Sequence, residues 1–286
     1  MSRKLISFDW AIKRLLRSKA NFGILEGFLS ELLFEDITIE AILESEGNKE
    51  SKEDKYNRVD IKVKNAKKEI ILIEIQYGRE LDYMQRMLYG TSKVITEHME
   101  EGDAYSKVVK VISINILYFD FGDGDDYIYH GTTVFKGMHN HSILTLNAKQ
   151  KKLYSKQKID DVYPEYYVIK VNNFDQKATN TLDEWIYFLK TEKIENHFKA
   201  KGLSEAKKKL DLMKFNEQER AHYEQFKRHL HDQASTWEST YVIGKIEGEK
   251  NKAREIAKKL LFAQFDMETI VEMTGLSTEE INKLAH

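Results

Sequence analysis

The stretch "NRVDIKVKNAKKEIILIEIQ", residues 57–76, constrains this chain more than any other. It reads as two short apolar strands joined by a polar turn, and each strand carries a carboxylate, Asp60 and Glu74, among valine, isoleucine and leucine. Side chains alternate along a strand, so Ile70, Leu72, Glu74 and Gln76 share one face and Ile71, Ile73 and Ile75 the other. Both faces look buried, and a buried carboxylate needs compensation. For Asp60 to meet Glu74 across the hairpin, Asn65 must face Glu69 around Ala66, Lys67 and Lys68, which demands an odd-length turn. A four-residue turn would set Asp60 opposite Ile73 and separate the carboxylates onto different faces.

Two carboxylates this close repel, and a proton, a basic partner or a divalent cation relieves them. A hard cation such as Mg²⁺ (or Mn²⁺) takes oxygen ligands and keeps several waters, so Asp60, Glu74 and a main-chain carbonyl between Glu74 and Gln76 would suffice. The plain alternative is that both carboxylates lie near strand ends and pair with lysine or arginine.

Around the hairpin, residues 8–17 and 20–34 have helical spacing, with Phe22, Leu25, Phe28, Leu29, Leu32 and Leu33 on one face. Residues 44–57 read as a polar loop, 80–100 as a helix, 108–119 as an interior strand and 166–174 as a further strand. "TLDEWIYFLKT", residues 181–191, begins a run of helices extending to about residue 235. The tail has a charged helix over 244–261, a helix stop at Gly275, and an N-cap at Ser277 with Glu280 in the capping-box position. Gly244 and Gly248 hint at a linker. The chain therefore divides into 1–175, 176–240 and 241–286.

The 286 residues contain no cysteine, which removes disulfides and thiolate metal sites and suits a reducing, cytoplasmic setting. No signal peptide or membrane span is evident, so a soluble protein without membrane contact is expected. The net charge of -2 announces no nucleic-acid partner, which would need a local basic surface.

The order of a helix, "VD" on one strand, "IEIQ" on the next, then a helix and another strand resembles the PD-(D/E)XK nuclease fold. Asp60 stands at the D position, Glu74 at D/E and Gln76 at K. More specifically, "DWAIKRLL", "RVDIKV", "ILIEIQ", "QRMLYG", "VISINILYFD" and "DEWIYFLK" resemble the recombination-promoting nuclease (Rpn) and transposase family of bacteria. The resemblance implies an α/β restriction-endonuclease-like core, a mixed sheet flanked by helices, with a C-terminal helical extension. It also implies Mg²⁺-dependent hydrolysis of DNA, with Asp60 and Glu74 as metal ligands and Gln76 orienting water or phosphate. Glutamine offers only a neutral hydrogen bond where lysine would offer charge. Gln85 and Tyr89, at i and i+4, resemble a QxxxY element that supports such sites, and Arg86 could reach a phosphate. The competing reading is that Tyr89 packs and that Gln85 and Arg86 are solvated.

A further metal-ligating glutamate from the first core helix would be Glu26 rather than Glu31, since Glu26 borders the apolar face. Asp9 and Lys13 match the family's N-terminal D and K, with helix capping the plain reading for Asp9. Cutting both strands would favour a homodimer, and no organic cofactor is implied. A catalytically weak or inactive module that binds DNA or protein is the alternative function.

Other signals are set aside. "HNH" at His139–His141 lacks the spread of the nuclease motif of that name, and "DFG" at Asp120–Gly122 lacks the rest of a kinase. The acidic turn Asp120, Asp123, Asp125 and Asp126 has Gly131 where a calcium loop needs glutamate. The helices around "TGLS" resemble a helix-turn-helix, but with no third helix evident and mixed charge on the second, a protein–protein helical hairpin is preferred.

Overall fold

The computed structural model describes residues 5–14, 16–43 and 60–284. The expected loop at 44–57 and the side chain of Lys13 lie outside the described residues. The hairpin closes in the register that brings the carboxylates together. β2 (Ile61–Asn65) and β3 (Ile70–Gln76) are antiparallel, with Ile61 opposite Ile73 and Lys64 opposite Ile70. One pair further out, Asp60 faces Glu74. Three residues make the turn: Asn65 N–H donates to Glu69 O at 3.1 Å, Lys68 N–H to Asn65 O at 2.9 Å, and Lys68 takes a left-handed φ of 66°. A left-handed residue ending a three-residue loop is a common hairpin closure.

Four more strands complete a six-stranded mixed sheet in the order β1-β2-β3-β4-β6-β5. β4 (Val111–Leu117) lies parallel to β3, and β6 (Glu165–Lys170) lies parallel to β4. β1 (Ile39–Leu43) and β5 (Ile128–Gly131) form the antiparallel edges. β4 is buried along its whole length, as its mostly apolar sequence, interrupted only by Ser113 and Asn115, suits a strand covered on both faces.

The odd-numbered β3 residues Ile71, Ile73 and Ile75 face the larger core with α1 (Phe8–Arg14), α2 (Phe22–Leu33), α5 (Thr181–Thr191) and α6 (Leu203–Lys209). Phe8, Phe28, Trp185 and Phe188 pack edge-to-face at its centre. The even-numbered residues face α3 (Tyr83–Glu97): Ile70 and Leu72 meet Val94, while Tyr83 and Met87 meet Leu117 and Val168. β1, β5 and α4 (Ala148–Tyr154) lie outside the elements read from the sequence. The two strands are short edges with half-exposed side chains, and α4 has seven residues, so a period has little length in which to show.

The chain divides into two compact units, residues 1–228 and 229–286, and the boundary falls within α7 (Glu217–Phe262). The second unit has its own small core, in which Ala257 of α7 meets Ile270 of α8 (Met267–Thr274), Leu276, and Ile281 of α9 (Thr278–Asn282). Gly244 and Gly248 sit within α7, and the charged helix expected at 244–261 is the end of α7, which packs as the third helix of the tail unit. Gly275 ends α8 in the left-handed region at φ 67°, and Ser277 and Glu280 form the capping box.

Gly27 marks a close approach in the first unit. A Cβ there would lie 2.3 Å from the Lys201 carbonyl oxygen and 2.6 Å from Gly202 Cα, backbone atoms that cannot rotate away. Gly27→Ala is expected to destabilise the chain by about 2–3 kcal/mol, lowering its melting temperature by roughly 4–12 °C. An unchanged melting temperature would show that this close approach tolerates a methyl group.

Candidate functional site

The site is built where β3 emerges beneath the start of α3. Glu74 stands beside Asn115 of β4 on the α3 face and is 7% exposed. Asp60 precedes β2, and its Oδ2 accepts the Ile75 main-chain N–H at 2.7 Å. Arg17 Nη2 donates to the Asp60 carbonyl oxygen at 2.8 Å. The Tyr83 hydroxyl donates to Asn115 Oδ1 at 3.1 Å, and Asn115 Nδ2 donates to Ser113 Oγ at 3.0 Å and Tyr167 O at 3.2 Å.

Arg86 lies at the centre. Its Nη2 forms an ion pair with Glu74 Oε1, while Nη1 donates to both Glu80 oxygens at 2.7 and 2.9 Å. The Glu74 contact is one of charge without directed hydrogen-bond geometry, so among the described residues Glu74 Oε1 and Arg86 Nε are buried without a hydrogen-bond partner. Gln76 Nε2 donates to Glu80 Oε1 at 2.8 Å and to Gly78 O at 3.3 Å. Glu80 thus holds Gln76 and Arg86 together.

Burial pushes the Glu74 carboxyl up to about 7; the charge of Arg86 opposes this, and Asp60 and Glu80 add to it. Arg86 is held above its ordinary range by Glu74 and Glu80, although burial works against its charge. Burial, followed by the charge of Glu74, raises the Tyr83 hydroxyl.

The other residues singled out from the sequence are placed differently. Glu26 Oε1 accepts the Ile39 N–H at 2.8 Å, and Ile39 pairs with Asn65. That is the turn end of the hairpin, roughly 15 Å along β2 from Asp60 at ~3.3 Å per residue, so Glu26 stands apart from the other two carboxylates. Asp9 is buried in the first turn of α1, where Ser7 Oγ accepts the Trp10 N–H at 3.4 Å and provides the cap. Its charge acts on the stacked Tyr77 and Tyr118 rings, which adjoin the larger core on the opposite face. Gln85 and Tyr89 project from the exposed side of α3. Among the described residues no three carboxylate or histidine side chains are grouped closely enough to hold a metal.

Sequence reasoning missed Glu80, Tyr83 and Asn115. Asn115 left a legible signal, since "ISINIL" places Ser113 and Asn115 at i and i+2 within an apolar interior strand. Glu80 left none, because its role depends on how the chain turns between Gln76 and α3.

A raised carboxyl pKa has a definite sign in stability. The folded chain binds the Glu74 proton more tightly than the unfolded chain, whose carboxyl titrates near 4.5. The stabilisation from that bound proton is complete below about 4.5 and is lost as pH rises to about 7. Glu74→Gln is therefore expected to be more stable than the natural chain at pH 8, by on the order of 2–3 kcal/mol, and the advantage should shrink by pH 5. Urea unfolding at the two pH values measures it. Equal destabilisation at both would mean that the Arg86 ion pair outweighs burial.

Comparison with known proteins gives this geometry a context. Residues 6–240 match the family described as PD-(D/E)XK nuclease family transposase. Residues 250–286 match the Rpn/YhgA-like nuclease family, C-terminal HTH domain, which puts helix-turn-helix ahead of the protein–protein hairpin for the tail. Neither the curated proteins nor the solved structures contain a match. No helix among the described residues is long and apolar enough to cross a membrane. With most of its length matched, carboxylates facing each other across β2 and β3, and a mixed sheet between helical layers, the chain belongs to the PD-(D/E)XK nuclease family of transposases.

Proposed function

We propose that the chain is a Mg²⁺-dependent DNA endonuclease whose centre is Asp60, Glu74 and Gln76, with Arg86 completing it. The carrying observation is the β2–β3 register, which sets Asp60 and Glu74 on one face of the sheet. The donor set fits a hard dication, since both side chains offer only oxygen. A Glu74 oxygen buried without a directed donor points the same way. When bound by Asp60 and Glu74, Mg²⁺ (or Mn²⁺) supplies a Lewis acid and lowers the pKa of water.

The protein's own groups divide the remaining work. Ile75 N–H fixes the Asp60 carboxylate, leaving its orientation independent of solvent. Gln76 presents an amide that can donate to water or a phosphate oxygen, and Glu80 sets its angle. The positive charge absent from position 76 is carried by Arg86, two helical positions before the exposed Leu88, in direct contact with Glu74. On this reading Arg86 balances Glu74 at rest and turns to the phosphate when DNA arrives. On this reading Gln85 and Tyr89, exposed on α3, contact the same DNA. The C-terminal helix-turn-helix unit offers a second contact with DNA. A homodimer would supply the second cut of a double-strand break.

One observation favours the alternative, a nuclease fold retained for binding. Arg86 already neutralises Glu74, so that pair is balanced without a metal. Supercoiled plasmid incubated with protein and Mg²⁺ distinguishes the two readings. Nicking is expected, abolished by EDTA and reduced by about 100-fold or more in Asp60→Ala with its melting temperature retained. Retained DNA binding with no Mg²⁺-dependent nicking by the natural chain would establish the binding module.

A further inference from the structure

The net charge of -2 conceals a strong segregation. Residues 127–159 contain six lysines, three histidines and no aspartate or glutamate, where the average acid content of the chain would give about five. This acid-free stretch includes β5 and the excursion that separates β5 from β6.

The excursion has two parts. First comes a β-hairpin in which Lys136 bridges Ile143, Gly137 N–H donates to Ser142 O at 2.8 Å, and Leu144 N–H donates to Phe135 O at 2.9 Å. Its tip carries Met138, 89% exposed, beside His139 and His141. Then comes α4, started by a capping box between Asn147 and Gln150 and carrying Lys149, Lys151 and Lys152. Lys156 and Lys158 follow. The hairpin, Lys151 and Lys158 line one open, largely apolar cavity, so the two parts form a continuous surface.

Lysines elsewhere are mixed: Lys62, Lys67, Lys68, Lys107, Lys110, Lys201, Lys209, Lys227 and Lys250 are ion-paired, while others such as Lys64, Lys93, Lys177 and Lys208 are in no salt bridge among the described residues. Among the described residues none of Lys136, Lys149, Lys151, Lys152, Lys156 and Lys158 is in a salt bridge. The base of the excursion is fixed: the buried Lys110 ammonium donates to the Asp160 and Tyr163 carbonyls and pairs with Glu165 Oε1 at 2.7 Å. Asp161 Oδ2 faces back, accepting the Gln157 and Lys158 N–H groups at 2.9 Å each. The local acids thus hold the base of the excursion, with Lys156 close enough to act on Asp161, and none of its lysines forms a salt bridge among the described residues.

We propose that residues 133–158 form a DNA-binding arm, in which the lysines of α4 and the 156–158 segment contact phosphates and the Met138 tip enters a groove. Unpaired lysines complement a polyanion, and an exposed methionine on a hairpin tip is the kind of apolar wedge that contacts bases where a groove is narrow. The proposal takes the identity of its partner from the nuclease reading but does not require cleavage.

The test is equilibrium binding of the full chain to a fluorescent 30-base-pair duplex in EDTA at several salt concentrations. Lys149→Gln/Lys152→Gln/Lys158→Gln should reduce the slope of log affinity against log salt by about 2–3, since each phosphate left without its lysine removes roughly 0.9. Affinity near 0.15 M salt should fall roughly 10- to 100-fold. Met138→Ser should weaken binding severalfold at an unchanged slope. The helix-turn-helix unit is common to all variants, so the slope difference reports the arm, and cleavage plays no part in EDTA. An unchanged slope in the triple variant with its melting temperature retained would overturn the proposal. So would no duplex binding by the natural chain at low salt, or equal binding to anionic phosphatidylserine vesicles that is lost in the same triple variant.

Discussion

A carboxylate in the middle of a buried strand is the constraint on which the site depends. Glu74 has Ile73 and Ile75 beside it in the chain, Asn115 on the neighbouring strand and α3 above, and burial alone raises its pKa into the neutral range. Such a group is stable in place only with a cation or a proton. The fold provides the guanidinium of Arg86, and Glu80 in turn holds Arg86 through two hydrogen bonds. Each residue added to neutralise another brings its own requirement, so the cluster grows outward from Glu74 to Gln76 and the entry to α3. Burial of this kind, costly in a structural strand, is the way functional sites shift the pKa of a carboxylate.

The hairpin was legible because side-chain alternation and pair arithmetic leave little freedom. Once Asp60 and Glu74 are required to face each other, the turn must be Ala66, Lys67 and Lys68, and the left-handed Lys68 closes it. The interior strand β4 was equally plain, since nothing but burial on both faces suits seven residues with that apolar content. Glu26 was misplaced because a helical wheel gives the side of a helix but not which end of the hairpin that side reaches. Its carboxylate serves the first residue of β1, a strand too short and too exposed to be read. Arg86 was visible as a phosphate-binding candidate, but its place between Glu74 and Glu80 depends on the path of residues 77–82, for which neither period nor turn chemistry gives a rule.

The tail shows the same limit from the opposite side. Gly275, Ser277 and Glu280 announced their turn and cap correctly because capping is local chemistry. The helix at 244–261 was legible as a helix, but it belongs to a 46-residue run whose charge is spread around its whole circumference, so no apolar stripe marked where its packing against α8 and α9 begins.

Charge in this chain is organised by segment, and that resolves an apparent conflict between a near-neutral composition and membership of a DNA-processing family. Several acidic side chains in the first unit are committed internally: Glu35, Glu40, Glu97 and Glu192 pair with lysines. Each such pair contributes little to stability when exposed, but it also removes a cation from the field seen by a polyanion. The stretch at 127–159 holds six lysines and no acid of its own. The electrostatic field that matters for association is the local one, since charges more than about 10 Å apart are screened at physiological salt. A sum over 286 residues averages away a surface that a phosphate backbone would encounter directly.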